Sequence, residues 1–117
     1  MEEAIATYVH WCRMPALATR ATLLSTSWLR AKGQHGEAAR QLLRMSGEDS
    51  DLRSALLLEQ AAYCFLAGTP MQLPRKYAFH AVLAGHRYGK AGQRRHSLRL
   101  YKQALQVKYL SIVIINN

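Results

Sequence analysis

Five histidines, two cysteines and seven carboxylates are the groups in this 117-residue chain that could carry chemistry. His80, His86 and His96 fall in the C-terminal half, at separations of six and ten residues. Neither separation puts two imidazoles on one helical face at i, i+4, and residues 60–117 contain no Asp or Glu to complete a ligand set. His10 and Cys12, two apart on an expected helix, point to different faces, which argues against a Cys–His dyad. Gly85 and Gly92 resemble a phosphate loop only superficially, because no Lys-Ser/Thr pair follows and no strand precedes them. Glu59 is the most informative lone carboxylate. It sits in an almost wholly apolar run, where pairing with Arg87 or another cation of a neighbouring helix is expected before acid–base work. The residues imply no catalytic centre, no metal and no cofactor.

The elements that would position these groups are helical. Gly85, Tyr88, Gly92, Ser97, Tyr101, Ala104 and Leu105 follow the spacing of a tetratricopeptide-type hairpin. Gly85 lacks a Cβ, so a second helix can lie close, and Gly92 permits the left-handed turn between the two arms. Ser97 is small for the same packing reason, and Tyr88, Tyr101 and Leu105 are expected to fill the groove. A generic helix–turn–helix of a bundle has the same packing needs. Gly33 and Ala38 repeat the five-residue spacing of Gly92 and Ser97, with 59 residues between the two turns. One extra helix must lie between them, which gives an irregular solenoid.

Six helical segments can be read. The first spans about Glu2 to Arg13, with Ile5, Tyr8, Val9 and Cys12 on one face, and ends at Met14-Pro15. The second spans about Ala16 to Lys32, with Leu17, Ala21, Leu24 and Trp28 as its stripe. The third starts at Gly36 and turns Ala38, Ala39, Leu42 and Leu43 inward. Residues 51–66 form the fourth, capped by Ser50 or Asp49 and apolar on nearly every face, as an internal helix of a stack should be. The fifth begins near Pro74 and carries Tyr77, Ala81, Ala84 and Tyr88. The sixth spans about Gln93 to Lys108, with Leu98, Tyr101, Leu105 and Tyr109 expected inward. The fold class is therefore all-α, a tetratricopeptide-like solenoid over residues 1–109. Residues 111–115 are rich in β-branched side chains and uncapped, so residues 110–117 are expected to be an irregular tail, with a frayed helical extension or a short strand as alternatives.

The net charge is +9, and it is unevenly placed. Residues 1–59 balance seven Lys/Arg against seven Asp/Glu, whereas residues 60–117 hold nine Lys/Arg and no carboxylate. Lys76, Arg87 and Lys90 on the fifth segment, and Arg94, Arg95, Arg99 and Lys102 on the sixth, form a candidate basic face, with His80 beside them. Such a face suits an acidic protein or an anionic membrane surface. Nucleic acid is disfavoured, because the tyrosines are expected inward rather than among the cations. No stretch is long and apolar enough for a transmembrane helix, and the acidic Met1-Glu2-Glu3 start is unlike a signal peptide, so the chain reads as cytosolic. Cys12 and Cys64 have no short spacing and read as buried reduced thiols.

Residues 17–33 (LATRATLLSTSWLRAKG), 44–66 (RMSGEDSDLRSALLLEQAAYCFL) and 75–107 (RKYAFHAVLAGHRYGKAGQRRHSLRLYKQALQV) resemble the subunit 8 family of the trafficking protein particle (TRAPP) complex, the subunit of its TRAPP III form. The resemblance implies a non-catalytic scaffold segment of a vesicle-tethering assembly. Its partners would be other tethering subunits, and its place peripheral to Golgi and endoplasmic reticulum vesicle membranes. Traffic between those compartments and autophagy are the implied processes. The complex promotes nucleotide exchange on a Rab GTPase through other, smaller subunits, so no family catalytic residue maps onto this chain. Family members are far longer and continue past Val107 with a glycine-containing linker, so a fragment or short isoform is expected. A basic helical module that binds anionic membrane or nucleic acid directly is the alternative.

Overall fold

A computed structural model describes residues 2–5, 15–47, 50–68 and 72–116. Its described elements are all helical: α1 (Pro15–Ala31), α2 (His35–Ser46), α3 (Asp51–Ala67), α4 (Pro74–Lys90) and α5 (Arg94–Asn116), with residues 2–5 helical as well. Each helix packs mainly on the next in sequence, and the Cα trace measures 53 × 35 × 16 Å, a thin layer of antiparallel helices. Tyr8, Val9, His10, Cys12, Met14 and Asp49 lie outside the described residues.

Two of the connections use one design. After α1, the Gly33 amide donates to the Arg30 carbonyl at 3.0 Å and Gln34 to Leu29 at 2.9 Å. After α4, Gly92 donates to Gly89 at 3.1 Å and Gln93 to Tyr88 at 2.8 Å. This is the Schellman pattern, in which two reversed amides satisfy the last carbonyls of the helix. It requires a left-handed residue, and Gly33 and Gly92 supply it at φ 79° and 80°. The start of α3 is capped by Ser50, whose side chain accepts from the Arg53 amide. Pro74 opens α4 at a position where a missing amide hydrogen costs nothing.

α3 is the shared wall of the layer. Leu57, Ala61 and Cys64 face a first core with Ala18, Leu29, Ala38 and Leu42. Ala55, Leu58 and Ala62 face a second with Tyr77, Ala81, Ala84, Tyr88, Leu100 and Ala104. Leu43 and Phe65 touch both. Cys64 is a buried free thiol, its pKa raised by burial.

Three expectations need correction. The inward stripe of α1 is Ala18, Thr22, Ser25 and Leu29, while Leu17, Leu24 and Trp28 face out. On α5, Ser97, Leu100 and Ala104 are buried and Leu98, Leu105 and Tyr109 are exposed, while Tyr101 is 39% exposed with its ring against Gly85. In both cases small residues (Ala18, Thr22 and Ser25 on α1, Ser97 and Ala104 on α5) let the helices approach closely around one buried leucine, Leu29 or Leu100. Finally, α5 runs on to Asn116, so the segment expected as irregular is helical through that residue. Neither Gly nor Pro interrupts it, and extending a formed helix over β-branched residues costs only tenths of a kcal/mol each, about 0.5 at most.

Candidate interaction surface

The α4–α5 hairpin is built around Gly85. A β-carbon there would lie 2.9 Å from Cε1 of Tyr101, closer than real side chains come, and a tight 3.3 Å from the Ser97 carbonyl oxygen. Hydrogen at this position lets the Tyr101 ring and the α5 backbone settle directly on α4. Gly89 continues the contact, its β-position 3.4 Å from the Ser97 hydroxyl. Tyr88 and Ala104 are buried on either side.

Glu59 of α3 is the hub that ties three helices together. The Tyr88 hydroxyl of α4 donates to its Oε1 at 2.6 Å, and Tyr63 of its own helix to Oε2 at 2.8 Å. Arg99 of α5 forks across both oxygens, Nη1 to Oε2 at 3.0 Å and Nη2 to Oε1 at 3.3 Å. Gln103 extends the network by accepting from Tyr77 at 3.3 Å. Burial pushes the Glu59 carboxyl up, but the bonds from Arg99, Tyr88 and Tyr63 outweigh it and hold the group below its ordinary value. Tyr63, desolvated and donating to a carboxylate, is pushed up to about 12, and Tyr88 is raised further for the same reasons.

The seven cations of the candidate basic face do not form one equivalent set. Arg99 is spent on Glu59, and Arg87 pairs with Asp51 of α3 at 2.8 Å. Both therefore stitch helices together. Lys76 is exposed, with its ammonium 5.6 Å from the centre of the Phe65 ring. Lys90, Arg94, Arg95 and Lys102 are exposed. His80 bonds within its own turn, Nδ1–H donating to the Lys76 carbonyl oxygen at 2.7 Å, and His96 stacks beside Tyr88 at 5.1 Å between ring centres. Among the described residues no cluster of His, Cys, Asp or Glu could hold a metal ion, and no helix is long and apolar enough to cross a membrane.

No protein-family model matches the chain. Over 107 residues it is 54% identical to the human trafficking protein particle complex subunit 8, an alignment that covers 92% of the chain. The chain belongs to the family of that subunit. It spans 7% of the length of this relative.

In this subunit 8 family segment, the Glu59 cluster is arranged to hold protons in place. Four donors occupy the carboxylate, and the phenols around it ionise only well above neutrality. The pairing partner of Glu59 was the least legible part of the site. Arg99 lies two helices away across the layer, with Arg87 taken up by the helix start at Asp51, where a cation at that acidic first turn has its own partner. The outward stripe of α5 had a readable signal. The small residues Ala78, Ala81, Ala84 and Gly85 on α4 ask for an equally small facing stripe, which Ser97 and Ala104 provide and Leu98 and Leu105 do not.

Proposed function

We propose that this chain is a non-catalytic scaffold segment of a vesicle-tethering complex, acting by protein–protein contact. The observation that carries the reading is the 54% identity over nearly the whole chain to a subunit whose name places it in a trafficking particle complex. Its partners are other subunits of that complex, and its place is the cytoplasmic side of Golgi and endoplasmic reticulum vesicle membranes, in early secretory traffic and autophagy. The fold supports this reading. A thin layer of helices exposes much side-chain surface for its mass, and its outer helices present apolar stripes that adjoining protein can cover. Affinity capture from cytosol with the folded chain as bait tests it directly. Tethering-complex subunits should be recovered, and their absence with a demonstrably helical bait would overturn the assignment. Flotation with anionic vesicles should be weak. Strong, salt-sensitive flotation abolished by Arg94→Glu/Arg95→Glu would instead favour the membrane-binding basic module.

A further inference from the structure

α5 carries two apolar stripes, and α4 covers only one. The second, Leu98, Tyr101, Leu105 and Tyr109, is 59%, 39%, 68% and 67% exposed. Its steps of three, four and four residues are those of a helix-pairing seam. Because the Tyr101 ring rests on Gly85, one edge of the seam merges with the surface of α4, where Val82 is also exposed. The result is an exposed apolar strip shared by the two helices. Helical geometry, about 100° per residue, puts Lys102 and Arg95 along one flank of the seam and Lys108 along the other. Those three cations are exposed, and residues 60–117 supply no carboxylate to balance them.

We propose that this strip docks an amphipathic helix of a partner protein whose apolar stripe is flanked by Asp and Glu. Cations on both flanks of the seam, with no carboxylate in residues 60–117 to pair them, fit one helix whose own seam is edged by Asp and Glu. A second copy of this chain is the wrong occupant. Pairing α5 with α5 sets cation against cation, and α1, whose Leu24 and Trp28 are exposed, contains Arg20 and Arg30 but no acidic residue. The inference rests on the scaffold reading for why such a partner exists, but its test is independent. Loss of peptide binding would leave capture of tethering subunits untouched, and the reverse also holds.

The probes are two synthetic helices of roughly three heptads with identical leucine seams, one flanked by Glu and one by Lys. Fluorescence anisotropy with the full chain should show the Glu-flanked peptide binding at least about tenfold more tightly, with the preference shrinking between about 0.05 and about 0.3 M salt. Leu105→Asp should abolish binding, and Arg95→Glu/Lys102→Glu should reverse the preference. These positions are exposed, and unchanged helicity by circular dichroism checks that each variant folds. Equal affinity for the two peptides, or binding indifferent to Leu105→Asp, overturns the proposal. So does concentration-dependent dimerisation by sedimentation that Leu105→Asp abolishes, which would give the face to a second copy. Flotation on phosphatidylserine vesicles that needs Leu105, without peptide binding, would give it to the membrane.

Discussion

On α1 the buried hydroxyls are short and two of them serve their own helix, whereas between α3, α4 and α5 buried polar side chains are long and converge on one atom pair. In the first region the Thr22 hydroxyl donates to the Ala18 carbonyl at 2.9 Å and Thr26 to Leu23 at 3.1 Å, both within α1. Ser25, donating to Gln41 at 3.1 Å, reaches the neighbour. In the second region Glu59 is bound simultaneously from α4 by Tyr88 and from α5 by Arg99. Hydroxyls bonded to their own backbone allow close packing but say little about register. A carboxylate shared by three helices accepts only one alignment of them, because sliding any helix by a turn would strand a buried charge.

The largest test of this contrast is Glu59→Ala. It leaves a partly buried guanidinium and two phenols without their acceptor, and should cost about 3 kcal/mol, the low end for a broken buried pair because Arg99 retains some solvent. Glu59→Gln keeps an acceptor and should cost about 1–2 kcal/mol. Denaturant titration of the two variants gives both values, and equal, negligible losses would show that the hub does not set register. Gly85→Leu comes next. Overpacking against Tyr101 and the Ser97 carbonyl should cost about 1–3 kcal/mol, and an unchanged melting temperature would sink the hairpin assignment.

The pH dependence should also separate the regions. The depressed Glu59 carboxyl contributes stability that is present above its unfolded pKa and lost as pH falls through the lower folded value. The raised Tyr63 and Tyr88 phenols contribute stability that is intact below about pH 10 and lost as pH rises toward 12. Chain stability, followed by circular dichroism across pH, should fall at both extremes, and Glu59→Gln should flatten the acid limb. The smallest effect is expected in the first region. Ser25→Ala removes one cross-helix bond and should cost about 1 kcal/mol.

The helices, their order and both glycine turns were legible in the sequence, because Gly, Pro and Ser at helix ends act locally. The buried face of α4, Tyr77, Ala81, Ala84 and Tyr88, was legible too, since large and small residues there share one stripe. The faces of α1 and α5 were not legible from those helices alone. Each lies at an edge of the described layer and packs on a neighbour from one side, so size alone misplaces its inner stripe: Thr22 is fully buried while Leu24 is mostly exposed. The Arg99–Glu59 pair escaped for a different reason. Its members are 40 residues apart and meet only once α4 has placed them, which no local pattern encodes.

The matching turns at Gly33 and Gly92 have a consequence for symmetry. Corresponding helices, α1 with α4 and α2 with α5, are three elements apart, and neighbours joined by short connections alternate in direction. Equivalent helices therefore run in opposite senses, and the two turns lie on opposite edges of the layer. No pure translation can superpose the hairpins; a half-turn about the stacking direction has to accompany it. The operator is a twofold screw, so equivalent surfaces of the two hairpins look out from opposite sides of the sheet of helices.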